Sequence, residues 1–108
     1  MYNYYYIIVP SDSPQSFESF AEQFLVNFTW SPPNTPNGII TGYNLIVTRH
    51  NTDDNTYNHT SYNYDPNTLS VRADGFLSFQ EYNASITAST VIGSGPMAIN
   101  EGRTQPDG

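Results

Sequence analysis

Cysteine is absent from this 108-residue chain, which removes thiol catalysis, Cys-ligated zinc and disulfide crosslinks from consideration. The absence does not fix a compartment, because a sandwich with a sufficient core can live outside the cell without crosslinks. Lysine is absent too, and Arg49, Arg72 and Arg103 are the only cations beside a net charge of −7. Neutralising phosphate backbones takes a patch of Lys and Arg that releases counterions, so neither nucleic acid nor an anionic membrane surface is an expected partner. Charge is scarce in general, at 12% of residues; a disordered chain would carry more charge and fewer aromatic rings, so this one is expected to fold. Long apolar runs are also missing. The aliphatic stretch at residues 7–9 stops at Pro10 and has no basic segment before it. A signal peptide needs both features in stronger form, and a membrane span needs about 20 apolar residues.

What the chain does hold is aromatic and amide-rich. Nine Tyr, six Phe and a single Trp make up 15% of it, and bulky rings pack well on a pleated surface. Val26, Phe28 and Trp30 fall at every second position, as do Tyr43, Leu45 and Val47, with Asn27, Thr29, Asn44 and Thr48 between them. That alternation gives two half-buried strands, joined by a loop containing Pro32-Pro33 and Asn37-Gly38. A lone Trp on the first of two such strands points to a sandwich domain, and so to a binding or spacer module rather than a catalyst.

The length supports one domain with one core. Residues 1–13 read as an extended lead-in or linker, 14–104 as the domain and 105–108 as a linker to a following domain. Phe17 and Phe20 offer apolar anchors for a short first strand, although Phe17, Phe20, Ala21, Phe24 and Phe28 also fit a helical period. Residues 49–60 read as a polar, turn-rich loop, followed by a short edge strand around Tyr62 and Tyr64. Leu69, Val71 and Ala73 alternate next; Tyr82, Ala84, Ile86 and Ala88 form the clearest strand, and residues 97–104 a weaker last one. The expectation is all-β: a seven-stranded antiparallel two-sheet sandwich. The lead-in is flat, uncharged and β-prone, so residues 1–9 are the expected place for self-association by strand pairing.

Candidate chemistry is thin. Asp53, Asp54 and Asp65 with His50 and His59 lack the fixed short spacing and bend glycine of a calcium loop, and a solvated loop is the simpler reading. No carboxylate pair stands in an acid/base constellation, and Gly93-Ser94-Gly95 is too tight for a nucleophile elbow. No catalytic residue, cofactor or metal is expected. Asn27, Asn58 and Asn83 each open an N-x-S/T sequon. A chain so rich in Asn, Ser and Thr produces sequons by chance, so their placement says more: Asn27 and Asn83 on the outward phase of strands, Asn58 in the polar loop. They are the candidate glycosylation sites if the protein is secreted. Tyr57, Tyr62 and Tyr64 are the candidate protein-binding cluster, since Tyr supplies rigid amphipathic contact area; the alternative is that one or two of them pack on the sheet edge.

Trp30-Ser31-Pro32-Pro33, the Asn37–Tyr43 stretch, Glu81-Tyr82, Ala88, Gly93-Ser94-Gly95-Pro96 and Arg103-Thr104 stand in an order and spacing that resembles the fibronectin type III domain over residues 14–104. The resemblance is to modules of tandem-array extracellular proteins, such as usherin-like proteins and receptor-type tyrosine phosphatase ectodomains. It implies structural roles for Trp30, Tyr43, Phe76 and Tyr82. Tyr82 would be the family's corner tyrosine, its phenol bonded to backbone a few residues upstream. Phe76 replaces the usual Leu six residues before it, and Ser78 replaces a common Pro, which implies a looser turn. Ala73 and Gly102 are weaker departures. The resemblance further implies a non-catalytic extracellular module of a multidomain adhesion protein or receptor, binding through the loops at 31–39 and 90–96. No Arg-Gly-Asp sequence is present for integrin binding. An accessory spacer of a secreted carbohydrate-active enzyme, and a self-assembling structural piece, are the other readings. The protein partner and the neighbouring domains of the array are not named by the sequence.

Overall fold

The computed structural model describes residues 9–107. Seven strands follow in chain order: β1 Gln15–Ala21, β2 Leu25–Ser31, β3 Gly42–Asn51, β4 Thr56–Tyr64, β5 Ser70–Asp74, β6 Glu81–Ser89 and β7 Ala98–Arg103. They form two antiparallel sheets, one ordered β1-β2-β5 and the other β4-β3-β6-β7. The helical alternative for residues 17–28 is not adopted; the segment is two strands paired through Ala21 and Val26. The expected self-association through residues 1–9 falls, except for Val9, outside the described residues.

Alternation decides which side of each strand is dry. From the three-stranded sheet come Val26, Phe28 and Trp30, and from the four-stranded sheet Tyr43, Leu45, Val47, Ala84 and Ile86. The small Ala84 and Ala88 belong to the same buried cluster as the large rings and pair with Val47 and Tyr43, small beside large as close packing requires. Trp30 tilts against Tyr43, with ring centroids 5.5 Å apart, and Phe28 meets Tyr82 edge-on at 5.9 Å. Fully burying side chains of this kind contributes about 1.5–3 kcal/mol each.

Two expectations change here. Residues 49–60 are not a loop: β3 runs on to Asn51, β4 begins at Thr56, and only residues 52–55 turn. Asn55, in left-handed backbone at φ 56°, supplies the bend that Asn tolerates, and the polar residues on both sides pair in register from Thr48–His59 to Asn51–Thr56. Asn58 is therefore a strand residue. Phe20 is not a core anchor. Phe17 packs against the core, but three positions on, beyond a register shift between Gln15 and Glu18, Phe20 points outward and is exposed.

The chain comes in at one pole and leaves at the other. At the first, Ser11 N–H donates to Thr35 C=O at 3.0 Å, and the Asp12 carboxylate accepts from the N–H groups of Asn34 and Thr35, each at 2.8 Å. These bonds, that from Thr35 foremost, hold the Asp12 carboxyl below its ordinary value. At the second pole Gln105 N–H donates to Glu22 C=O at 2.9 Å. The turn before β6 is not loose despite Ser78. Thr104 Oγ1 accepts from Gln80 N–H at 2.7 Å and donates to Leu77 C=O at 2.6 Å, while Gln80 Oε1 accepts from Leu77 N–H at 2.9 Å. A buried Gln and a buried Thr replace the stiffness a proline would have given.

Candidate functional site

Pairing registers lay the outward side chains of the four-stranded sheet in rows. Tyr57 opposes His50 on β3, and Glu81 opposes Arg103 on β7. One row further, His59, Thr48, Asn83 and Glu101 line up in the same way. These two rows, His59 excepted, floor a shallow open groove of about 540 Å³. His50 stacks on Tyr57 with centroids 4.6 Å apart, and its Nδ1 lies 3.5 Å from Glu81 Oε1. Glu81 pairs with Arg103 through its other oxygen, which is the main reason its carboxyl sits below the ordinary value, with His50 a smaller contributor. The Arg103 guanidinium in turn covers the Phe79 ring at 4.3 Å.

This row holds charges in fixed places but builds no relay for catalysis. His50 has a carboxylate on one nitrogen, yet its other nitrogen meets the amide oxygen of Asn55 at 2.9 Å, not a hydroxyl. His59 has a hydroxyl, that of Thr48 at 2.9 Å, and among the described residues no carboxylate in the same chain of bonds. Nucleophilic catalysis needs base, orienter and nucleophile in sequence. Among the described residues no three His, Asp or Glu side chains gather to hold a metal ion, so Asp53, Asp54, Asp65, His50 and His59 are not brought together.

The tyrosine cluster divides between the two faces of β4. Tyr57 is on the outer face, in the groove. Tyr62 and Tyr64 oppose Leu45 and Tyr43 on the inner face, stack at 6.2 Å and pack against the core. With the strand extended to nine residues, odd and even positions cannot share a surface. Tyr82 also departs from expectation. Its hydroxyl meets Ser19 Oγ of β1 at 2.7 Å in place of upstream backbone, and its ring packs edge-on against Phe76 at 5.6 Å. Ser19 donates its own proton to Asn100 Oδ1 at 2.6 Å, and Asn100 Nδ2 donates to Phe17 C=O at 3.1 Å. The direction of the chain is thereby fixed, and Tyr82 is the donor to Ser19. Gly102 is the partner of Tyr82 across the ladder; a Cβ there would lie 2.7 Å from Tyr82 Cζ and closer still to its oxygen. The glycine that weakened β7 in the sequence makes room for the phenol ring.

The sequons separate by environment. Asn27 lies in the central strand β2 between Phe20 and Arg72. Asn83 lies in the groove, its amide donating to Glu101 Oε2 at 3.2 Å. Asn58 is exposed on the edge strand β4. At the incoming pole the loops at 31–39 and 90–96 lie side by side: Thr41 N–H donates to Ser89 C=O at 2.8 Å, and Gly38 lies against the Thr90 side chain. Ile39 and Val91, 86% and 85% exposed, stand out there with Ile92. The row across the outer face is not visible in the sequence, because it depends on three registers; the alternation of Glu81, Asn83 and Thr48, Asn44 is its one visible sign.

Comparison with known proteins follows this architecture. The chain is 27% identical over 95 residues to the Protein sidekick homolog of Caenorhabditis briggsae, an alignment covering 84% of this chain and 4% of that protein's length. The crystal structure of the FN5 domain of Drosophila Lar superposes with a TM-score of 0.69 at 22% identity, over 93% of this chain and all of that one. The solution structure of the third fibronectin III domain of human KIAA0343 protein superposes at 0.79 with 13% identity, over all of this chain and 93% of that one. Residues 12–100 match the fibronectin type III domain, and the chain belongs to that family.

Proposed function

We propose that this chain is a non-catalytic extracellular module of a longer adhesion protein or receptor, which spaces its neighbours and contacts a protein partner through its incoming pole. The observation that carries the reading is the exposed trio Ile39, Val91 and Ile92. Two loops far apart in sequence present it beside the incoming segment at Pro10, whose carbonyl lies against Gly95. Apolar side chains this exposed and grouped mark a contact surface rather than a scattering of surface residues. The family membership, the small share of the sidekick homolog that the chain spans and the three sequons support the setting. The outer-face groove supports recognition as well, being polar, open and without a relay.

The test uses secreted, tetramerised protein on intact animal cells, with the triple variant Ile39→Ser, Val91→Ser, Ile92→Ser beside it. The expected result is saturable binding that protease treatment of the cells abolishes and that the variant weakens at least tenfold. Equal binding by both proteins, or none by either, removes the pole as the contact surface.

A further inference from the structure

We infer that Asn58 is a glycosylation site whose sugar caps the edge of β4 against pairing with a second copy of this chain. Edge strands display unpaired backbone groups, and proteins protect them with charge, proline, bulges or shortness. Three of the four edges here have such protection. β1 carries Glu18 and a register shift and packs on β7; β5 is five residues long and carries Arg72 and Asp74; β7 carries Glu101 and Arg103. β4 is nine residues long, mostly exposed, and contains no Asp, Glu, Lys, Arg or Pro. Asp53, Asp54 and Asp65 lie beyond its ends. What β4 has instead is the sequon Asn58-His59-Thr60 near its middle.

Asn58 is also the sequon asparagine freest to carry a sugar. It is exposed at a sheet edge, whereas Asn83 is hydrogen-bonded to Glu101 and Asn27 is half-buried in a central strand. The co-reactant is a lipid diphosphate-linked oligosaccharide. Asn58 Nδ2 forms a bond to the anomeric carbon, the bond from that carbon to the diphosphate oxygen breaks, the lipid diphosphate leaves, and the amide gives up one proton. The product keeps an amide N–H and places a bulky hydrated group on the edge.

The inference rests on the extracellular reading, and the test separates the two. Protein secreted from eukaryotic cells behind a cleavable leader is trimmed to single sugars and peptide-mapped. Sugar on Asn58 in most molecules is expected. Sugar on Asn27 or Asn83 with Asn58 bare overturns this inference alone; three bare sequons overturn the extracellular reading and the inference with it. In the second arm, sugar-free wild type, Asn58→Gln and Asn58→Lys are compared by sedimentation over a concentration series. All three carry the same lead-in and lack the sugar, and only the last puts a charge on the edge. Wild type and Asn58→Gln should associate at least tenfold more tightly than Asn58→Lys, and the secreted glycoprotein should remain a monomer. Equal behaviour of the Gln and Lys variants refutes the role given to the edge.

Discussion

Tyr43 and Tyr82 are both buried, yet their hydroxyls differ in what they touch. Among the described residues Tyr43 Oη has no hydrogen-bond partner, and burial pushes its phenol above the ordinary value. Tyr82 donates to Ser19 and so ties β6 to β1. An unpaired buried hydroxyl costs free energy, whereas a paired one contributes about 0.5–1.5 kcal/mol. Tyr43→Phe should therefore leave stability unchanged or raise it by about 1 kcal/mol, and Tyr82→Phe should lower it by about 1 kcal/mol. Gly102→Ala should cost about 1–3 kcal/mol by overpacking, and less in the Tyr82→Phe background, because the nearest clashing atom is then gone. Urea midpoints at constant slope measure all four proteins, and additive costs would deny the contact between Gly102 and the phenol.

At the scale of elements, the turn before β6 is held by side chains rather than by turn residues. Thr104→Val keeps the shape but strands the buried Gln80 N–H and Leu77 C=O, and should cost about 2–3 kcal/mol, read from the denaturation midpoint. The strand pairs were legible in sequence wherever apolar and polar residues alternated, as in β2, β3 and β6. In β4 only the end around Tyr62 and Tyr64 was legible, as a short edge strand; residues 56–61 carry no apolar alternation. Such a strand is specified by its ladder with β3, and pairing partners do not show in a local pattern. The same gap hid the division of the tyrosines and the row from Tyr57 to Arg103. Trp30 and Tyr82 could be read as buried because their neighbours carry a clear period, and Phe76 only through the family resemblance; the partner of the Tyr82 hydroxyl could not, since Ser19 is 63 positions away.

For the whole molecule, the excess of seven negative charges acts against compaction. The exposed Arg72–Asp74 and Glu81–Arg103 pairs contribute little and weaken in salt. Screening of the larger repulsion should win, so raising sodium chloride from about 10 to about 300 mM should increase Tm by roughly 2–5 °C in a thermal scan. A falling Tm would show that the ion pairs dominate. The opposite placement of the two chain ends has a mechanical consequence. β1 leads away from the incoming pole and β7 leads toward the outgoing one, so a pull between the two ends slides β1 past β2 and β7 past β6. Ladder bonds lying across the direction of pull then share the load and yield together, so the fold resists tension between its ends better than it would if the strands unzipped one bond at a time.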